Sequence, residues 1–403
     1  MGPREDELIA MSGDDEFLDA PDDSPVDGSV SDDNDELVSE MDAGLGADGN
    51  DPCPHGRSPQ ISTAAAHGRS TMRDVAQLAG VSIKSVSRVV NGDPNVSSTM
   101  RHRVQRTIRQ LDFVPDASAA ALRRSDHRTR ILGILLQDLG NDYSARLFHQ
   151  LEKSAWLSSY ALFTASLEEQ SEKERRIIQD LLERRVDGLI LIPTCSRQDY
   201  LQTRVDAGLA LVCVDRRPSG LMVDSVTTDN WLGAKMATEH LINQGHRKIA
   251  FLGDYTAIES SNDRFNGYLD ALRSAGVPAD PRLLCTGIRS IAEGRQALDS
   301  LLDAGTTVTA VMTGRNDLTV GAVSCLQSRG LNTSIALVGF DDVPMAQFVQ
   351  PPVTVVEQAI ETIAEKTARR IVARVDGDIS PIHDIVVPPR LVIRGSGEIP
   401  PQD

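Results

Sequence analysis

Residues 71–92 read TMRDVAQLAGVSIKSVSRVVNG, and residues 93–124 continue DPNVSSTMRHRVQRTIRQLDFVPDASAAALRR. Thr71 stands three residues before Asp74, the spacing of a capping box, in which a hydroxyl and a carboxylate satisfy each other's orphan backbone N–H groups. Val75, Leu78 and Ala79 recur as one apolar face, and Gly80 supplies the left-handed backbone that stops a helix. Ser82 can cap a second helix, in which Ile83, Val86 and Val90 share a face with Val89 beside them. Lys84 and Arg88 lie four apart on a different face. Asn91-Gly92 ends that helix. Ser97 opens a third, striped by Met100, Val104, Ile108 and Leu111, while Arg101, Arg103, Arg106 and Arg109 point elsewhere. Two short helices around a glycine turn, closed by a third, predict a helix-turn-helix. Its second helix would enter a DNA major groove by its N-terminal end. Lys84 and Arg88 suit guanine edges, and Ile83 suits a thymine methyl. The alternative is a small helical bundle with a solvated basic face.

The segments RDVAQLAGVS, VSRVVNG and PDASAAAL resemble those of the LacI/GalR family of transcriptional regulators. The resemblance implies DNA contacts from Thr71, Ser82, Ile83, Lys84, Ser85, Arg88 and Asn91. It also implies a hinge helix after Phe113 that pairs with its dimer mate over the centre of a pseudo-palindromic operator. Leu122, with Ala119 beside it, would wedge into a base step from the minor groove. Two positions depart from the family pattern: Asp116 replaces the usual Asn, and Ala120 the usual Arg.

The chain has 403 residues and a formal charge of −17, which looks wrong for a DNA-binding protein until its distribution is read. Residues 1–70 hold 18 acidic residues against three basic ones, a net of −15, whereas residues 71–130 hold 11 basic against five acidic, a net of +6. The basic headpiece is the electrostatic footprint for DNA. Runs such as DDSPVDGSVSDDNDE cannot bury enough apolar surface to offset chain entropy, so residues 1–70 are expected to form a disordered acidic tail. No apolar run is long enough for a membrane helix, and the acidic N-terminus does not read as a secretory signal. Five scattered cysteines, at 53, 195, 213, 285 and 325, lack metal-ligand spacing and point to a reducing, cytoplasmic setting, and the family resemblance implies a place at the bacterial nucleoid.

From Ile131 onward ILGILL, DGLILI, ALVCVD, KIAFLG, AVMTG and IALVGF read as buried strands separated by amphipathic helices such as EKERRIIQDLLERR and LGAKMATEHLINQG. That alternation predicts an α/β fold with parallel sheets, whose ligands bind beyond the carboxyl ends of the strands. The family resemblance extends through RVDGLI, GHRKIAFLG, DRFNGY, NDLTVGA, LVGFDD and PPRLVIRGS. It implies two periplasmic-binding-protein-like lobes joined by three crossovers. The expected organisation is a tail at 1–70, a headpiece at 71–116, a hinge at 117–130 and an effector-binding and dimerisation domain at 131–396. Lobe 1 falls at 131–228 and 358–386, and lobe 2 at 229–357 and 387–396.

By position, Asp215, Arg264, Asn316 and Asp341 match the family's effector contacts, and Gln137, Asn141 and Tyr143 match the mouth of the first strand. Carboxylates, amides and a guanidinium suit a hydroxylated ligand. Asp317 reads as a cap or structural acid. Positions where family members carry stacking aromatics hold Thr228, Arg289 and Ile360. Arg289 beside Arg264 would favour an anionic effector, a sugar phosphate or sugar acid. The expected protein is thus a homodimeric repressor of double-stranded operator DNA, controlled by a sugar or sugar phosphate, with no cofactor, no metal and no catalytic role. A solute-binding protein of the same bilobed fold, or an activator, are the alternatives.

Overall fold

The computed structural model describes residues 70–114, 128–194 and 196–402. Residues 1–69 of the acidic segment, Asp116, residues 117–127 of the hinge with Ala119, Ala120 and Leu122, and Cys53 and Cys195 lie outside the described residues.

Three helices follow Ser70: α1 (Met72–Ala79), α2 (Ile83–Val90) and α3 (Ser98–Gln110). The capping box forms, with Thr71 Oγ1 accepting the Asp74 N–H and the Asp74 carboxylate accepting the Thr71 N–H at 2.8 Å. Gly80 ends α1 at φ 62°, a conformation that strains any residue with a Cβ. Val75, Val86 and Val104, one from each helix, are fully buried against one another's surroundings, with Ala79, Val89, Val96 and Phe113 completing the core. Burying a valine contributes about 1.5–3 kcal/mol, which is what holds such short helices together. Two apolar positions depart from the expected faces. Leu78 is 50% exposed and Ile83 is 46% exposed, because Ala76 and Val89 take the inward positions instead.

The first lobe holds β1 (Ile131–Leu136), β2 (Ala161–Ser166), β3 (Gly188–Leu191), β4 (Ala210–Asp215), β5 (Asp224–Thr228) and the late strand β11 (Asp384–Val387). They form a parallel sheet in the order β11-β5-β4-β3-β1-β2. Helices α4 (Asp142–Leu157), α5 (Ser171–Glu183), the short α6 (Gln202–Asp206) and α11 (Ile360–Val375) accompany it. The second lobe holds β6 (Ile249–Leu252), β7 (Leu284–Cys285), β8 (Ala310–Thr313), β9 (Ala336–Phe340), β10 (Thr354–Glu357) and β12 (Arg390–Val392), in the order β12-β10-β9-β8-β6-β7. Its helices are α7 (Asn230–Asn243), α8 (Glu259–Ser274), α9 (Ile291–Asp303) and α10 (Asn316–Ser328).

The chain crosses between the sheets three times, after β5, β10 and β11. All pairings are parallel, as expected, except β10 with β12, which is antiparallel. The second lobe continues beyond residue 396: His240 Nε2 lies 2.5 Å from Glu398 Oε1, and His246 Nε2 lies 2.8 Å from the Ile399 carbonyl. Two helix pairs in this lobe approach at glycine. A Cβ on Gly267 of α8 would lie 2.2 Å from the Trp231 carbonyl oxygen of α7, and one on Gly321 of α10 would lie 2.4 Å from the Ile291 carbonyl oxygen of α9. Among the described residues no helix is long and apolar enough to cross a membrane.

Candidate functional site

The helix-turn-helix presents the N-terminal end of α2 to solvent. Ile83 and Lys84 are both exposed there. The flanking hydroxyls are partly engaged with each other: Ser82 Oγ accepts the Ser85 N–H at 3.1 Å and lies 2.9 Å from Ser85 Oγ. Thr71 is held in its capping box, and Asn91 Nδ2 donates to Ser87 Oγ at 3.3 Å. Arg88 is positioned differently from a free reading head. Its Nε donates to Asp93 Oδ2 at 2.8 Å, and this bond holds the Asp93 carboxyl below its ordinary range. An exposed ion pair is readily exchanged for another anion, so Arg88 can pass from Asp93 to DNA.

A narrow cleft with a cavity volume of about 70 Å³ lies between the carboxyl ends of the two sheets. It gathers Gln137, Asn141, Tyr143, Asp215, Arg264, Arg289, Asn316 and Asp341, all eight of the expected effector residues. Thr228 and Ile360 are not among its lining residues. Thr228 Oγ1 donates to Gln358, and Ile360 is buried in the first lobe's core. Tyr143 is the one aromatic in the lining, among the described residues.

Asp215 ends β4 and Asp341 follows β9, so these two carboxylates come from opposite lobes. Both residues adopt a left-handed backbone, φ 73° and φ 69°. Strain of about 1–3 kcal/mol is usual for such conformations and clusters at ligand sites. Gln358, at the second crossover, donates to Asp341 Oδ1 at 2.6 Å. Burial pushes the Asp341 carboxyl above its ordinary range, against the opposing influence of Arg264 and Gln358.

Arg264 sits in the second turn of α8. It donates to Asn230 Oδ1 and to the Gly314 carbonyl, both at 2.8 Å, and stacks on Phe340 at 3.9 Å from the ring centre. Its Nη1 is 3.7 Å from Asp341 Oδ2. Arg289 reaches the cleft too, with Nε 3.2 Å from Asp254 Oδ2 and Nη2 3.8 Å from Glu169 Oε1. The two arginines are therefore not an isolated cation pair, because each faces a carboxylate. Counting the whole lining, four arginines (216, 264, 289, 315) meet four aspartates (138, 215, 254, 341). The excess positive charge expected for an anionic effector is absent.

Gln137 lines the cleft, but its amide is engaged in lobe 1. Its Nε2 donates to the carbonyls of Ile192 and Pro193, and its Oε1 accepts the Glu169 N–H at 2.8 Å. Asn141 and Asn316 form a reciprocal amide pair across the lobes, at 2.8 and 3.1 Å. Asp317 supports that pair by accepting from Asn141 Nδ2 at 2.9 Å and from Arg315. Two buried polar atoms in the lining make no hydrogen bond of full geometry: Tyr143 Oη, and Arg216 Nε, which rests 3.5 Å from Asp215 Oδ2. Burial first, and then the Asp215 and Asp341 carboxylates, keep the Tyr143 phenol far above its ordinary range, so it stays a neutral donor.

Sequence reasoning missed Arg216, Asp254, Arg315 and Gln358. All four lie within two residues of a strand end, Gln358 directly after β10, a signal that was available. Among the described residues no group of three His, Cys, Asp or Glu side chains could hold a metal.

A helix-turn-helix followed in the chain by a bilobed cleft lined by polar groups defines a DNA-binding regulator with a ligand-binding core. Comparison with known proteins agrees. Residues 71–116 match the description "Bacterial regulatory proteins, lacI family", and residues 238–397 match "Periplasmic binding protein-like domain". The chain is 32% identical to the HTH-type transcriptional regulator GalR of Escherichia coli (strain K12), over 82% of this chain and 96% of that protein. It is also similar to a transcriptional regulator CelR–cellobiose complex, with 30% identity, a TM-score of 0.60, and coverage of 81% of this chain and 100% of that one. A lac repressor dimer bound to operator shares the fold, with a TM-score of 0.69 at 24% identity, over 82% of this chain and 99% of that chain. The chain belongs to the lacI family of bacterial regulatory proteins and is a DNA-binding transcriptional regulator.

Proposed function

We propose that this repressor's hold on its operator is set by a neutral, hydroxyl-rich effector of the sugar class, bound between the lobes, and that it acts in the cytoplasm at the chromosome. The observation that carries this reading is a cleft of balanced charge in which Tyr143 Oη and Arg216 Nε are buried beside the Asp215 carboxylate without a full hydrogen bond, Arg216 Nε at 3.5 Å from Asp215 Oδ2. A buried polar group without a partner costs about 1–3 kcal/mol, and a ligand hydroxyl relieves that cost. Asp215 and Asp341 add acceptors for hydroxyl groups from opposite sides. A relative of known structure was solved with cellobiose, and another relative is the ribose operon repressor of Escherichia coli (strain K12). The effector acts on DNA binding only so far as it prefers one lobe arrangement over the other.

The test is fluorescence anisotropy on selected operator DNA with neutral sugars and their phosphates. A neutral sugar should change operator affinity by tenfold or more. Tyr143→Phe should weaken that sugar's binding by about 0.5–1.5 kcal/mol, the worth of one neutral hydrogen bond, while sugar-free operator affinity stays intact. A response confined to phosphorylated or carboxylated sugars would overturn the neutral reading.

A further inference from the structure

In the headpiece Arg88 has a partner, and that partner is itself locked in place. Both oxygens of the Asp93 carboxylate are used: Oδ2 accepts Arg88 Nε at 2.8 Å, and Oδ1 accepts the Asn95 N–H at 2.9 Å. The Asp93 backbone is fixed as well. Its N–H donates to the Arg88 carbonyl at 3.0 Å, and its carbonyl accepts Arg101 Nη2 of α3 at 2.9 Å. Pro94, between Asp93 and Asn95, adds its own fixed φ to the turn. A carboxylate with so little freedom gives Arg88 a fixed support.

The rest of the Arg88 side chain is open. It is exposed, and among the described residues neither Nη1 nor Nη2 makes a hydrogen bond. Guanine presents two acceptors in the major groove, O6 and N7, and an arginine fork can meet both. With only Nε engaged, Arg88 can reach a guanine edge and keep Asp93. A phosphate makes a different demand. A guanidinium that passes wholly to phosphate leaves the Asp93 carboxylate uncompensated beside a polyanion. Asp93 thus penalises the contact that carries no sequence information and spares the one that does. It also removes, before DNA arrives, part of the rotamer freedom that a long side chain loses on binding.

We propose that Asp93 is a positioning residue for sequence reading: by holding Arg88 at Nε it directs that arginine to one guanine in each operator half-site and away from the phosphates. The proposal concerns the headpiece alone and is independent of what the effector is.

The experiment is selection from a randomised duplex library, followed by anisotropy titrations on the selected operator and its single-base variants. It uses the full chain with no effector added, as wild type, Asp93→Ala, Asp93→Asn, Arg88→Ala and the double variant Arg88→Ala/Asp93→Ala. Arg88→Ala should abolish a guanine preference at one position of each half-site. Asp93→Ala should weaken that same preference by about threefold, the scale of an exposed ion pair, while affinity for unrelated DNA holds or rises because a negative charge is gone. Asp93→Asn keeps an oxygen for the turn and for Nε, so it should retain part of the preference. In the Arg88→Ala background, Asp93→Ala should cost no operator affinity, because its effect runs through Arg88. An equal cost in both backgrounds would make Asp93 a support of the loop only and overturn the proposal. Tighter operator binding by Asp93→Ala with the guanine preference intact would make Asp93 a competitor of DNA, which also overturns it. So would a uniform loss over all sequences in Arg88→Ala, which puts Arg88 on a phosphate.

Discussion

Asp341 combines three costs: a positive φ, full burial, and a carboxyl pushed above its ordinary 3.8. Between 3.8 and the raised native value the folded state holds more protons than the unfolded state, so this group's contribution to stability falls as pH rises through that window. Asparagine tolerates the left-handed backbone better and keeps an acceptor for Gln358. Asp341→Asn should therefore raise the melting temperature at pH 7, lose this group's fall in stability as pH rises above 3.8, and lose effector response. Differential scanning fluorimetry across pH, beside calorimetry, checks all three; a lower melting temperature at neutral pH would show that the Arg264 contact outweighs burial. At the other end of the chain, Lys84 is exposed and Arg88 leans on Asp93. Lys84→Ala should relax base preference at one operator position by about 1–3 kcal/mol. A uniform loss over all sequences in a selection experiment would make Lys84 a phosphate contact instead.

At the scale of elements, what was legible depended on burial. The six strands recognisable as apolar runs, β1, β3, β4, β6, β8 and β9, are buried interior strands. Four of the unread ones, β2, β7, β11 and β12, are sheet edges, where one side meets solvent and the apolar run breaks up. β5 is DSVTT, wholly buried but mostly polar, so hydropathy could not reveal it. The helix-turn-helix was legible because its caps act over three residues, as at Thr71 and Ser82. Helix contacts were not. Gly267 and Gly321 look like helix-weakening residues in sequence, yet each permits a neighbouring backbone to approach. Gly267→Ala should cost about 1–3 kcal/mol through overpacking, despite alanine's better helix propensity. An unchanged or raised urea midpoint would show that α7 and α8 can separate without penalty.

Across the whole molecule, charge has two tasks. Residues 1–70 carry a net −15 beside a basic headpiece segment of net +6. Removing residues 2–69 should tighten operator binding at low salt, because tethered anions compete with phosphates for the same basic residues, and the gain should fade as salt screens them. Anisotropy titrations at several salt concentrations measure this; equal affinities at low salt would leave the segment without a role in DNA binding. Between the lobes, charge and amides act as fasteners. Arg217 Nη1 meets Glu259 Oε1 at 2.7 Å, and Asn141 meets Asn316, joining residues far apart in the chain. An effector that binds between these fasteners has a direct means of favouring one lobe arrangement.

The chain's own order of residues determined the DNA-binding headpiece, the alternation of strands and helices, and the set of polar residues at strand ends that meet in the cleft. Those features follow from caps, helical spacing and apolar runs, all local in sequence. Charge pairing came only with the tertiary structure. Arg264 and Arg289 read as neighbouring cations in search of an anion, but Asp341 lies 77 positions beyond Arg264 and Glu169 lies 120 before Arg289. Pairing across such separations depends on how the sheets bring their carboxyl ends together. No local pattern encodes it, and it turned an apparently cationic pocket into a balanced one.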